Sequence, residues 1–237
     1  ETGARTPSFT VVTDLADVHS LWFSPEPDRF FIANEWVKVK ALESGVPEGK
    51  LVTSGIPVSP DFSLNQVEKQ ALRGSLGLDP HRLTLLFVGS NRVSNLQDYL
   101  QVLESFPTPV QAVVIAGGND ELYKKLVDSH FDFPVEVRNF EKNVPQWMMA
   151  SDILVTKAGG LIVSEGLAAG LPILLIDYLP GQEEGNVRFL LSHQAGAFVQ
   201  NVGEFRAMID YWLQEDASRL SQVARASAAL GHPEAAM

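Results

Sequence analysis

An α/β fold built on an open, doubly wound parallel sheet is what this sequence predicts, and three observations predict it. Short continuous apolar runs of strand length recur along the chain from residue 83 onward. Each is followed by a segment with apolar residues at helical spacing. The joints between them are Gly-rich or polar, as loops at strand ends should be. Apolar runs without alternation mark strands buried on both faces, which parallel sheets require, and strand–helix alternation implies right-handed βαβ units.

The elements follow in order. Residues 83–89 (LTLLFVG) form a buried strand, and 93–106 a helix with Leu96, Tyr99, Leu100 and Leu103 on one face. Residues 110–116 (VQAVVIA) form a second strand, closed by Gly117-Gly118-Asn119-Asp120, and 121–130 a helix with Leu122, Leu126 and Val127 on one face. A third strand spans 135–140, a short helix or turn 144–150, and a fourth strand 153–156. Helix 161–169, strand 173–177 and helix 186–193 come next. A helix from 204 to about 229 closes the chain, with Phe205, Met208, Ile209, Trp212 and Leu213 as its apolar stripe; its Ala/Ser-rich end is expected to fray. Ahead of residue 63 the reading is βαβ again, but shorter: strands 9–13, 29–33 and 51–58 and a helix over 35–44. The boundary falls near 57–62, followed by a polar helix over 65–72. Two units result, 1–62 and 63–237.

Composition removes several chemistries. Of 237 residues, 45% are hydrophobic and 20% charged, which is globular rather than disordered. No Cys is present, so disulfides, a thiol nucleophile and Cys-based metal sites are excluded. A net charge of −11 argues against a nucleic-acid partner. The most apolar stretch, 161–179, holds Glu165, Pro172 and Asp177, and reads as a helix stopped at Gly170 and then a strand, not a membrane span. No basic–apolar signal pattern opens the chain at Glu1.

Ligands of open parallel sheets sit at the carboxyl ends of strands. The loop from Gly89 through Ser90, Asn91 and Arg92 lacks G-x-G-x-x-G and the P-loop pattern, so a dinucleotide oxidoreductase and a P-loop NTPase lose their main support. Nor does any G-x-S-x-G elbow exist for a Ser-His-Asp hydrolase. Thr156-Lys157-Ala158-Gly159-Gly160 leaves a strand and opens a helix, which suits phosphate oxygens approaching backbone N–H groups. Glu165, about one turn along, could accept two hydrogen bonds from a ribose diol. The bland alternative is a tight turn and a dipole-favoured carboxylate. The loop 178–186 carries Gln182, Glu183 and Asn186, either polyol ligands or a solvated run. Near the first strand end, Asp14, His19 and Trp22 crowd together without forming a triad or a metal set.

Together these stretches resemble the GT-B glycosyltransferases, and within them the monogalactosyldiacylglycerol synthases and processive diacylglycerol glucosyltransferases, relatives of the lipid-II GlcNAc transferase. The resemblance is carried by Val12-Thr13-Asp14-Leu15 with His19 and Trp22, by Gly55-Ile56-Pro57-Val58 before Phe62, and most specifically by residues 151–186 (SDILVTKAGGLIVSEGLAAGLPILLIDYLPGQEEGN). It covers the chain from Phe9 to about Phe198.

That resemblance implies a complete C-terminal Rossmann-like donor domain and a partial N-terminal α/β domain. It implies a UDP-sugar donor, with uracil along the backbone near Phe140 and Val144, diphosphate at Gly159 and Gly160, ribose at Glu165, and the sugar at Gln182, Glu183 and Asn186. Gly89 and Ser90 stand where the group has a glycine-rich phosphate loop; either Asn91 and Arg92 supply compensating donors or phosphate binding is looser. Lys157 and Arg92 are the candidate cations. No cofactor and no bound metal are implied. The reaction would be inverting transfer of a hexose to diacylglycerol or a related lipid, by a protein lying peripherally on the cytoplasmic side of a membrane. The expected catalytic base lies in a Gly-Gly-Gly-His-type loop ahead of Phe9, and His19 is a lesser candidate from a later motif. The isolated chain is then expected to be inactive. The competing reading is a non-catalytic or split nucleotide-sugar-binding subunit that needs a separate membrane acceptor chain.

Overall fold

The computed structural model describes residues 6–64, 67–89 and 96–237, which build two parallel sheets sharing a core. The smaller has three strands in chain order, β1 (Phe9–Val11), β2 (Arg29–Ile32) and β3 (Leu51–Thr53), with Phe9 beside Arg29 and Phe30 beside Leu51. Helix α1 (Glu35–Glu43) crosses from β2 to β3. Asn34 caps it, its Oδ1 accepting the Trp36 and Val37 N–H groups, while its Nδ2 donates to the Leu15 carbonyl. One side chain thus starts the helix and ties it to the loop after β1.

The strand expected over 51–58 ends at Thr53, because Gly55 takes φ +82° and Pro57 follows, and neither continues a ladder. A short helix α2 (Asp61–Leu64) comes next, and α3 (Lys69–Ser75) begins later than the polar helix expected over 65–72, whose first two residues lie outside the described ones.

The larger sheet has the order β6-β5-β4-β7-β8-β9, all parallel: β4 (Leu83–Val88), β5 (Val110–Ile115), β6 (Val135–Arg138), β7 (Ile153–Lys157), β8 (Ile173–Asp177) and β9 (Gly196–Phe198). Between them run α4 (Leu96–Leu103), α5 (Asp120–Val127), α6 (Val144–Met149), α7 (Gly160–Ala168) and α8 (Glu184–Ser192). Of the helix expected over 93–106, residues 93–95 lie outside the described ones. The unalternating apolar runs are explained by burial on both faces: Leu85 and Phe87 face the cluster with Tyr99 and Phe205, whereas Leu86 faces the cluster that continues through Leu154 and Leu167 to Leu15, Ala33 and Ile56. The first sheet is therefore packed onto one face of the second. Chain order reverses between β4 and β7, which makes their carboxyl ends the switch point where such sheets take ligands.

Helix α9 (Val202–Leu230) corrects the expected frayed end. It runs to Leu230 with a left-handed break at Glu215–Asp216–Ala217, and Ser227 is fully buried. Its small residues are there for proximity, not for disorder. A Cβ added to Gly170 would touch Ala228 at 3.3 Å, and one added to Gly231 would strike the Leu167 carbonyl. The tail then reaches the first sheet, where His232 lies against Gly55. Among the described residues no helix is long and apolar enough to cross a membrane.

Candidate functional site

Two strand ends meet at the switch point. Gly89 follows β4, and its N–H donates to the Ile115 carbonyl at 2.8 Å. A Cβ there would press on Leu122 and Leu96 at 3.1 and 3.2 Å, so only Gly fits here without pushing its neighbours aside. Ser90, Asn91 and Arg92, assigned to the same loop, lie outside the described residues. Thr156 Oγ1 donates to the Val88 carbonyl at 3.3 Å, tying the end of β7 to that of β4.

After Thr156 the register between β7 and β8 shifts, so that Lys157 pairs with Asp177. Ala158 donates its N–H to the Asp177 carbonyl at 2.9 Å, and Gly159 becomes the N-cap of α7. Among the described residues no side chain caps this helix. Its first intrahelical bond to Gly159 comes from Val163, which leaves the N–H groups of Gly160, Leu161 and Ile162 at the positive end of the helix without helical acceptors. Such an end favours an anion. Glu165 follows on the same helix. Burial alone pushes its carboxyl above the ordinary glutamate range, and among the described residues nothing donates to it. A half-buried carboxylate without donors keeps both oxygens able to accept hydrogen bonds.

The loop between β8 and α8 supplies the facing wall. Glu183 is buried, with one carboxylate oxygen paired to Lys157 Nζ and the other accepting the Leu179 N–H at 2.8 Å. Lys157 is thereby held beside Gly159, its Nζ 3.1 Å from where a Cβ on that glycine would stand. Gln182 is exposed at the rim. Asn186 is only 1% exposed; its Oδ1 accepts the Leu15 N–H at 3.0 Å and its Nδ2 donates to the Ala158 carbonyl at 2.9 Å. It braces the loop from below rather than presenting a free amide.

Two predicted residues lie farther along the same edge. Phe140, 69% exposed, and Val144, at the start of α6, follow β6, two strands from β4. Between them Glu141 accepts the Asn143 N–H at 2.8 Å, which pulls its carboxyl below the usual range.

The first sheet packs onto this edge, a contribution that no local pattern in the sequence reports. The Thr13 carbonyl and the Asp14 backbone lie directly on Gly160, while Asp17 lies on Gly185 and pairs with Arg188. Asp14 is half-buried, and its carboxyl is pushed up by desolvation, pulled down by a hydrogen bond with Asn186, and raised again by Glu183. Its position just past a strand end was the available signal. His19 does something local: exposed, its Nδ1 accepts the Leu21 N–H at 3.2 Å and caps the turn Ser20–Trp22. That turn projects Leu21, 84% exposed, and Trp22, 65% exposed, around an open depression of about 360 Å³. Trp22 also lines a smaller cavity of about 70 Å³ that reaches Asp14.

Residues 1–58 match the family model Monogalactosyldiacylglycerol (MGDG) synthase, and residues 83–232 match Glycosyltransferase family 28 C-terminal domain. Monogalactosyldiacylglycerol synthase 2, chloroplastic, of Arabidopsis thaliana is 35% identical over 234 residues, which is 95% of this chain and 50% of that protein. The chain thus spans about half the length of the curated relatives it matches. Among solved structures, MurG of Acinetobacter baumannii superposes with a TM-score of 0.64 at 14% identity, covering 95% of this chain and 62% of that one. Anabaena Alr3699/HepE in complex with UDP-glucose superposes with a TM-score of 0.59 at 13% identity, covering 94% and 67%.

Proposed function

The chain belongs to the monogalactosyldiacylglycerol synthase family, with a family-28 glycosyltransferase domain and the GT-B fold, and from that premise we propose that it binds a UDP-hexose for transfer to a diacylglycerol-type lipid. The observation that carries this reading is the α7 N-terminus at the switch point, uncapped among the described residues, with the half-buried Glu165, which has no donor among them, one turn away. The diphosphate takes the N–H groups of Gly160, Leu161 and Ile162, with Lys157 beside them. Glu165 takes the ribose hydroxyls. Uracil lies along the backbone near Phe140 and Val144, and Gln182 and Glu183 face the hexose. UDP-glucose in the HepE complex supports the donor class.

Chemistry follows from this placement. The acceptor hydroxyl oxygen attacks the anomeric carbon from the face opposite UDP, the bond from that carbon to the phosphate oxygen breaks, and the configuration inverts. Charge developing on the departing diphosphate is met by fixed N–H dipoles and Lys157, which need no reorganisation at that moment. The hydroxyl proton passes to a base that we place in the part of the longer relatives this chain does not span. His19 is tied to its own turn. Leu21 and Trp22 offer an apolar projection for acyl chains and for peripheral contact with a membrane face.

Thermal shifts with UDP, UDP-glucose, UDP-galactose and UDP-GlcNAc test the donor assignment. A rise in melting temperature is expected, because a ligand selective for the native state stabilises it. No shift with millimolar nucleotide would remove the assignment. Transfer to diacylglycerol by this chain alone is expected to be absent, and robust turnover would overturn the placement of the base.

A further inference from the structure

The donor site proposed above draws its side chains from the second sheet alone, yet the first sheet reaches it at one carboxylate. Asp14 Cα lies 3.5 Å from where a Cβ on Gly160 would stand, and the Thr13 carbonyl oxygen only 2.2 Å from it. No side chain fits there, so the loop after β1 sits directly on the first residue of α7. A hexose attached to a phosphate at that helix end has two walls beside it. One is the loop carrying Glu183, whose two oxygens are already engaged by Lys157 and by the Leu179 N–H. The other is Asp14.

Asp14 differs from Glu183 in what holds it. Among the described residues no Lys or Arg pairs with it. The neutral amide of Asn186, fixed at both ends by the Leu15 N–H and the Ala158 carbonyl, is the group near it that favours its charged form. The carboxylate is therefore not neutralised by a cation of the described residues. It also lines the small cavity bordered by Trp22, so it stands between the apolar projection and the donor loop.

We infer that Asp14 accepts hydrogen bonds from hydroxyls of the donor's hexose, and that this first-sheet carboxylate sets the preference for a UDP-hexose over UDP. The inference rests on the donor-site reading. A carboxylate can accept from two vicinal hydroxyls at once, and UDP, lacking the hexose, gains nothing from it. The raised carboxyl of free Asp14 fits this use, because its lost hydration is replaced when hydroxyls arrive.

Titration calorimetry of the 237-residue chain with UDP, UDP-glucose and UDP-galactose tests it. At least one conjugate should bind the unaltered chain more tightly than UDP. Asp14→Asn should leave the UDP affinity within about twofold and weaken the preferred conjugate by about tenfold or more, the scale of a hydrogen bond to a charged group. Asp14→Ser, measured in parallel, should behave alike and covers the case in which the Asn variant loses its fold. Equal weakening for UDP and its conjugates would mean that Asp14 acts only through the loop, and unchanged preference would remove it from the hexose; either overturns the inference while the donor site stands. Failure of the unaltered chain to bind any of the three would overturn the donor site itself.

Discussion

Replacing Glu165 by Gln separates what its charge costs the fold from what it gives the ligand. In the free protein the carboxyl is raised by burial alone, so its ionised form is disfavoured in the fold relative to the unfolded chain. The folded state then binds the proton more readily, and stability falls as pH rises from the ordinary carboxylate value to the raised one. Above that window the cost is fully present; below it, the cost is gone. Glu165→Gln should therefore melt above the unaltered protein at neutral pH, with the advantage fading as pH drops into the ordinary glutamate range. Binding should move the other way. Hydrogen bonds to a charged acceptor contribute about 1.5–3 kcal/mol, which is roughly 10- to 150-fold in affinity. UDP at about 100 times its Kd stabilises the unaltered chain by about 2.7 kcal/mol. At the same concentration the variant sits near 0.7–10 times its own Kd and gains only about 0.3–1.4 kcal/mol. For a chain of this size each kcal/mol is worth about 2–4 °C. The UDP-induced shift should drop from about 5–11 °C to about 1–6 °C, read by differential scanning fluorimetry at two pH values. Equal shifts in the two proteins, or a variant that melts lower at neutral pH without ligand, would refute the reasoning.

Other outcomes follow from single contacts. Gly160→Ala drives a methyl into the Thr13 carbonyl and should destabilise by about 1–3 kcal/mol, whereas Gly49→Ala, with nothing within 4 Å, should be near neutral in the same urea melts. Arg73, 5% exposed, bonds the Ala150 and Pro80 carbonyls and pairs with Asp152, which also accepts the Thr84 N–H. Asp152→Ala leaves that guanidinium buried and unpaired and should cost about 3–5 kcal/mol, seen as a lower urea midpoint. A loss within experimental error would show that the pair is merely incidental. Trp22→Ser should weaken sedimentation with diacylglycerol-containing vesicles about tenfold, the effect of withdrawing one large apolar side chain, and unchanged sedimentation would place lipid contact elsewhere.

How much of this was legible depended on whether a residue's role is local. Leu85, Leu86 and Phe87 announce a strand because burial on both faces leaves no polar alternation. Gly159-Gly160 announces a strand-to-helix loop because small residues sit where the backbone must be approached closely. The sequence extends the strand at Leu51 too far because Val52 and Val58 look alike in composition, while the positive φ at Gly55 between them is a property of the turn. The end of α9 differs from the expectation for a related reason: Ala and Ser read as weak packing, whereas in the tertiary fold Ala228 lies against Gly170 and Gly231 against the Leu167 carbonyl. The pairing of Lys157 with Glu183 joins residues 26 apart, and that of Arg188 with Asp17 joins residues 171 apart. No periodicity reports such partners. Asp14 facing Gly160 is invisible for the same reason.

The return of the C-terminal tail to the first sheet bears on how the molecule is made. Ile56 and Ala33 share a cavity wall with Leu230 and His232, and His232 closes on Gly55. During synthesis the first sheet emerges early, but the residues that cover this flank are translated only after the whole second sheet. Until then Ile56 and Ala33 are open to water and to neighbouring chains, and closing the contact means bringing together positions far apart in sequence, a slow kind of step. Tags, fusions or truncations at the C-terminal side should therefore be felt first in the solubility and refolding yield of the half of the molecule most distant from them in sequence.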